Sequence, residues 1–141
     1  LAFFAQVYPN EWQAIVWLRE NVTGSPVIAE AVGGSYSEFG RISMATGLPA
    51  VMGWDGHESQ WRGRYYEKVA GRPGDIAQLY QARDAETAAR VLAAYDIEYV
   101  VVSDLERRRY NPVFDRKFAS LMRPAFEAGD LTLYQRLTGA P

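Results

Sequence analysis

Cysteine is absent from this 141-residue chain, and histidine occurs once, as His57. Without a thiol there is no disulfide framework, no thiolate metal site and no cysteine nucleophile, so the redox compartment leaves no mark on the sequence. A single histidine removes the helical zinc-protease pattern as well, because the position four residues after His57 is Trp61. Long apolar runs are also missing. The longest uncharged stretch, residues 42–54, is broken by Gly47, Pro49 and Gly53 and falls short of the ~20 apolar residues a membrane helix needs. Nor is there an excess of positive charge: 15 Lys and Arg stand against 17 Asp and Glu, a formal net charge of -2. The basic residues are scattered except for Arg107, Arg108 and Arg109, so nucleic acid is not an expected partner. That triplet reads as a solvated loop.

What is present describes a folded domain. Hydrophobic residues make up 48% of the chain and charged residues 23%, the balance of soluble globular proteins rather than disordered or fibrous ones. The length fits one domain, residues 1–141, with enough chain to bury a core unaided by staples. No repeat, low-complexity tract or linker interrupts it. The chain opens on LAFFAQVYP, with neither an initiator methionine nor a basic signal-peptide start. The expectation is a piece of a longer protein.

Periodicity predicts an α/β order. Asn10 caps a helix over residues 11–21, with Ala14, Trp17, Leu18 and Asn21 on one face and Ile15 and Val16 beside it. Trp12 and Trp17 there read as packing residues. After the punctuation of residues 23–26, the apolar run PVIAEA predicts a buried strand ending at Gly33 and Gly34. ISMATG predicts one or two helical turns, PAVMGW a second strand, and residues 60–71 a helix despite Gly63. Pro73 and Gly74 break the chain before a helix capped near Asp75, and Asp84 caps the clearest helix, AETAARVLAAY, striped by Ala88, Val91, Leu92 and Tyr95. IEYVVVS is rich in β-branched residues and predicts the central strand. PVFDRKFASLM predicts a short amphipathic helix, and two strand-like runs about Gly129 and Asp130 a closing hairpin. The predicted fold is a single layered α/β domain: a mainly parallel central sheet flanked by helices, with a C-terminal β-hairpin, related to doubly wound folds.

The chemistry concentrates in residues 36–64, YSEFGRISMATGLPAVMGWDGHESQWRGR. This stretch holds His57 beside Glu58, the tryptophans Trp54 and Trp61, Arg41 and Arg62, and five glycines. Large aromatics supply contact area, while Arg, Glu, Gln and His supply directional hydrogen bonds, which is how recognition surfaces are built. Trp54, Trp61 and Arg62 could form a shelf for a sugar ring or another planar group, with Glu38 and Arg41 as polar clamps; the alternative is that both tryptophans are core. A mixed oxygen and nitrogen metal site could draw on Asp55, His57 and Glu58 with Glu30 or Glu38. Against it stands plain hydrogen bonding of His57 and Glu58 to backbone or to each other. Ser35, Ser37, Ser43 and Ser59 qualify as nucleophiles by type alone, since none sits in a nucleophile elbow. The GGS at residues 33–35 follows a predicted strand but has neither phosphate-loop spacing, so a tight turn explains it better.

The ordered blocks SYSEFGRISMATGLPAVMGWDGHESQWRG, DIAQLYQARD, YDIEYVVVSDLERRRY, KFASLM and FEAGDLTLYQRL resemble the C-terminal soluble portion of the YYY family of multi-pass membrane proteins. The resemblance runs from Tyr8 onward. It implies an integral-membrane glycosyltransferase of the GT-C-like kind that uses lipid-linked sugars, anchored in the membrane, with this domain on the extracytoplasmic side. It puts weight on Arg41, Gly47, Gly53, Trp54, His57, Glu58, Gln60, Trp61 and Arg62, and later on Tyr99, Glu106, Arg107 and Tyr110. The implied partners are the transmembrane region of the same chain and a lipid-linked sugar or its acceptor. The catalytic carboxylates would lie in that membrane part, no cofactor is implied in this domain, and a divalent metal would belong to the full-length protein. One departure is Ser103 and Asp104, where the pattern leads one to expect a turn containing glycine.

Three functions follow from these readings. In the first, Glu38, Arg41, Trp54, Asp55, His57, Glu58, Gln60, Trp61 and Arg62 recognise acceptor or sugar beside a membrane active site. In the second, the same segment is an interface that packs on the membrane part or a partner subunit. The third is a free-standing sugar- or nucleotide-binding module, which would need a complete site within these residues.

Overall fold

The computed structural model describes residues 9–24, 26–30, 46 and 72–137 of the chain. Within them a helix α1 (Pro9–Asn21) precedes a short strand β1 (Val27–Ala29). Next come helices α2 (Arg72–Gln81) and α3 (Ala85–Ala94), strand β2 (Ile97–Val102), helix α4 (Asp104–Arg109), a 3-10 helix (Asp115–Ser120), and strands β3 (Met122–Ala128) and β4 (Leu131–Arg136). The described sheet has the order β1-β2-β4-β3.

β1 and β2 are parallel, pairing Val27 with Ile97 and Ala29 with Val100. β4 runs antiparallel to β2, pairing Val101 with Leu133, and β3 is antiparallel to β4. The predicted α/β layering and closing hairpin are both present, and the sheet is mixed. β2 lies between β1 and β4, and its near-continuous apolar sequence follows from that position, because both of its faces are covered. Ile97, Val100 and Val102 pack with Ile76, Leu79 and Tyr80 of α2, Val91 and Leu92 of α3, Leu105 of α4 and Phe118 of the 3-10 helix. Tyr99 and Val101 face the other way, with Ile28, Leu131 and Leu133 against Ala14, Ile15 and Leu18 of α1. The result is a three-layer sandwich, and each fully buried aliphatic side chain in it contributes about 1.5–3 kcal/mol.

Capping chemistry sets several boundaries. The Asp84 carboxylate accepts from the Thr87 amide at 2.8 Å and the Thr87 hydroxyl at 2.7 Å. These bonds hold Asp84 below the usual carboxylate range. α3 ends at Tyr95, and Asp96 turns the chain into β2 with a φ of 51°, a left-handed conformation that Asp tolerates better than most residues. Arg136 closes this corner, donating to the Leu92 carbonyl at 3.0 Å and to Asp96 Oδ1 at 2.7 Å.

Four local expectations are corrected. α1 starts at Pro9, so Asn10 is not its cap; a proline suits the first helical position, where its missing N–H is not needed. Pro73 lies inside the first turn of α2 for the same reason, followed there by Gly74, and Asp75 receives the Tyr95 hydroxyl instead of capping the helix. Arg107, Arg108 and Arg109 form the last turn of α4, where cations suit the helix dipole, rather than a loop. They remain exposed, with Arg107 paired to Asp115 at 2.8 Å and Arg108 to Asp104 at 3.0 Å. Finally, the helix expected over residues 112–122 is a 3-10 helix, and its last residue, Met122, already opens β3. Pro124 is tolerated there because β3 is an edge of the described sheet and its pairing is irregular between Pro124 and Phe126.

The hairpin turn is fastened to α1. Gly129 has a φ of 60°, and Asn10 Nδ2 donates to Asp130 Oδ1 at 3.1 Å. A Cβ at Gly129 would sit 2.5 Å from Asn10 Nδ2. Gly129→Ala therefore both strains the backbone and displaces that side chain, and we expect a loss of about 1–2 kcal/mol in chemical denaturation. Adding Asn10→Ala to the variant should recover part of the loss; an unchanged midpoint for Gly129→Ala alone would contradict this account of the turn.

Candidate functional site at the carboxyl end of the parallel pair

In open α/β sheets ligands bind outside the carboxyl ends of parallel strands, since the chain leaves the sheet there and exposes strand-end backbone and side chains. In this protein those ends are Ala29 of β1 and Val102 of β2. Glu30 follows β1 and is only 2% exposed. Residues 31–71, which carry the predicted recognition segment, join Glu30 to the first turn of α2.

The end of β2 is built by a capping box. Ser103 is the N-cap of α4, and Glu106 Oε1 accepts from the Ser103 amide at 3.0 Å and from its hydroxyl at 2.5 Å. Ser103 Oγ in turn accepts from the Leu105 amide at 3.3 Å. Both side chains are buried, so the carboxylate is paid for by directed donors rather than by water. Ser103 and Asp104, where a turn containing glycine was expected, instead start a helix.

Tyr80, fully buried near the end of α2, joins the two strands. Its hydroxyl donates to the Val101 carbonyl at 2.7 Å and lies 3.2 Å from the Ala29 carbonyl. Its ring stacks on Tyr110 with centroids 4.9 Å apart and planes 7° apart. Behind it the Lys117 ammonium donates to the carbonyls of Tyr80 at 2.9 Å and Phe114 at 2.6 Å. Burial pulls Lys117 down to about 8, against the opposing pull of Asp115 and Asp84.

This edge therefore carries two buried carboxylates, Glu30 and Glu106, on a frame held by Tyr80 and Lys117. Such a frame holds the two strand ends together. Among the described residues, no group of three His, Cys, Asp or Glu side chains could hold a metal ion, and no helix is long and apolar enough to cross a membrane.

Glu38, Arg41, Trp54, Asp55, His57, Glu58, Gln60, Trp61 and Arg62 all lie outside the described residues, as do the Gly33–Gly34 turn and, apart from Thr46, which is helical, the elements expected over residues 42–71. Of the later positions weighted by the resemblance, Glu106 and Tyr110 belong to the carboxyl-end frame, Arg107 is an exposed ion-pair partner, and Tyr99 is buried on the α1 face. Sequence reasoning noted Ser103 only as a departure from an expected turn and passed over Lys117 and Tyr80. For Ser103 the signal was present, since S-x-x-E is the capping-box spacing; nothing in the sequence marks Lys117 or Tyr80.

No family model matches the chain, and no curated protein matches it by sequence. Solved structures do match. The crystal structure of the C-terminal globular domain of oligosaccharyltransferase from the archaeon Archaeoglobus fulgidus aligns with a TM-score of 0.59 at 12% identity, covering 90% of this chain and 97% of that one. The two share a fold. A second crystal structure bearing the same description, also from Archaeoglobus fulgidus, aligns with a TM-score of 0.48 at 13% identity, covering 92% of this chain and 96% of that one. The likeness to the oligosaccharyltransferase domain takes in nearly the whole of both chains, so the layered α/β architecture and hairpin are common to both, not a shared fragment.

Proposed function

We propose that this chain is an accessory, substrate-recognition domain of an integral-membrane glycosyltransferase that uses lipid-linked sugars, a member of the YYY family. The observation that carries this reading is the fold shared with an oligosaccharyltransferase's C-terminal globular domain along nearly its full length. In this proposal residues 1–141 form one extracytoplasmic domain that works beside a membrane part of the same chain, where the catalytic carboxylates and any divalent metal reside. The recognition segment springs from the carboxyl end of β1 at Glu30, the position from which open α/β sheets present ligand-binding loops. Trp54 and Trp61 would stack on a sugar ring, Arg41 and Arg62 would engage phosphate or carboxylate, and His57 with Glu58 would orient hydroxyls or move a proton; Glu38, Asp55 and Gln60 complete the polar lining.

The test is glycosyl transfer by the full-length protein with His57→Ala or Trp61→Ala. We expect each to lower turnover at least tenfold while the domain's thermal unfolding stays unchanged. Wild-type turnover in both would sink the proposal. Loss of assembly, with the specific activity of the assembled fraction intact, would instead assign the segment to an interface with the membrane part.

A further inference from the structure

At the opposite, amino end of the parallel pair, on the face covered by α1, lies a cleft of about 430 Å³, within the size range of small-molecule sites. Asn21, Val22 and Thr23 at the end of α1, Pro26 ahead of β1, Glu98 and Tyr99 of β2 and Gln135 of β4 line it. Most of these side chains are polar, although the cleft sits beside an apolar core of Leu18, Ile28 and Leu133.

Two features separate it from an ordinary wet groove. Tyr99 is 5% exposed, its ring set edge-on to Trp17 at 6.4 Å, yet among the described residues its hydroxyl has no hydrogen-bond partner. A buried phenol normally finds one, because leaving it unpaired is unfavourable. The second feature is a side-chain relay across three strands: Arg123 Nη2 donates to Gln135 Oε1 at 2.5 Å, and Gln135 Nε2 donates to Glu98 Oε2 at 2.9 Å. The relay fixes Glu98 through Gln135, with the Arg123 guanidinium at its far end. It also consumes both ends of the Gln135 amide and leaves Glu98 Oε1 open among the described residues. Thr23 and Asn21 also line the cleft, the Asn21 nitrogen being held by the Trp17 carbonyl at 2.9 Å.

The geometry points to a binding site for one neutral pyranose ring, with Glu98 accepting from adjacent ring hydroxyls, the Tyr99 hydroxyl donating to a ring or hydroxyl oxygen, and Asn21 and Thr23 closing over its rim. Carboxylate, amide and hydroxyl groups together offer both donors and acceptors, as the two-way hydrogen bonding of vicinal hydroxyls requires. A simple cation would use the carboxylate but leave the phenol donor unmatched. The cleft lies at the end of the sheet away from Glu30, so this inference does not depend on the role proposed for residues 38–62.

The experiment titrates the methyl glycosides of glucose, galactose, mannose and N-acetylglucosamine into the 141-residue chain and follows the amide resonances of Asn21, Thr23, Glu98 and Gln135. The expected result is saturable binding of at least one glycoside with a millimolar dissociation constant, weakened roughly tenfold by Tyr99→Phe and by Glu98→Gln, the loss of one hydrogen bond in each case. Thr23→Val, at an exposed position that leaves folding intact, should weaken it as well. His57→Ala and Trp61→Ala should leave it unchanged, which separates failure of this site from failure of the proposed recognition segment. No saturable shift, binding indifferent to all three cleft variants, or shifts produced by calcium chloride and not by the glycosides would each overturn it.

Discussion

Replacing Tyr80 by alanine should cost the domain about 3–5 kcal/mol, the range for removing a large aromatic from a core, whereas Tyr80→Phe should cost about 1–2 kcal/mol, the range for one buried hydrogen bond. The division follows from the two jobs this side chain does. Its ring is fully buried and lies offset on Tyr110, with near-parallel planes 7° apart, and alanine leaves a cavity that two strands and two helices cannot close together. Its hydroxyl binds the Val101 carbonyl at 2.7 Å and approaches the Ala29 carbonyl. Phenylalanine keeps the packing but removes that donor. Because Glu30 follows Ala29 directly, the hydroxyl also steadies the point from which residues 31–71 depart. Tyr80→Phe should therefore speed amide exchange at residues 29–30 and 101–103 more than in α1, at a denaturant midpoint only modestly lowered. Equal midpoints for the Phe and Ala variants would mean that the hydroxyl, not the ring, carries the stability. Exchange that rises uniformly would mean that Tyr80 has no local part at the strand ends.

The sequence made the local elements with self-contained signals readable. Asp84 with Thr87, and the β-branched run over residues 97–102, specify their helix and central strand through nearest neighbours and composition, and the structure agrees with both. Gly129 and Asp130 likewise marked the hairpin, since a positive φ at the turn needs glycine. Boundaries set by distant partners were less legible. Asn10 has the right chemistry for a cap, but its amide is drawn 120 positions away to Asp130. Asp75 is similarly taken by Tyr95. Residues 112–122 have the composition of a helix, and what ends it early is the pairing of Met122 with Arg136 in the hairpin, a tertiary demand invisible in the segment itself. The same limit applies to the site. The residue types of the 38–62 segment led to an expectation of recognition chemistry, whereas the frame at the carboxyl ends of β1 and β2 depends on Tyr80, Lys117 and Glu106, whose importance arises only when α2, α4 and the 3-10 helix converge.

Lys117 gives that frame a pH dependence. Its ammonium is buried on the carbonyls of Tyr80 and Phe114 and lies 4.9 Å over the Phe118 ring, yet these attractions do not offset desolvation, which lowers it from 10.5 to about 8. Between those two values the unfolded chain binds a proton at this position that the folded chain does not. Stability therefore rises with pH through this window, by up to about 1.4 kcal/mol per pH unit. Burial raises Tyr99 and Tyr134 above 10.0, so the folded state holds their protons longer, and above about pH 10 they act in the opposite direction. The expected profile climbs from about pH 8 to a maximum near pH 10 and then falls. Lys117→Met keeps most of the buried stem but removes the titrating group. It should abolish the climb, while its stability at pH 7 stays within about 1 kcal/mol of the native chain, because losing the donor to Phe114 is offset by no longer burying a charge. Tyr80's carbonyl retains the Phe114 amide at 3.0 Å in either case. Chemical denaturation at intervals from pH 7 to 11 decides the matter: a climb that persists in Lys117→Met would assign it to another group, and a flat native profile would mean that the ammonium is better solvated by its carbonyls than its burial implies.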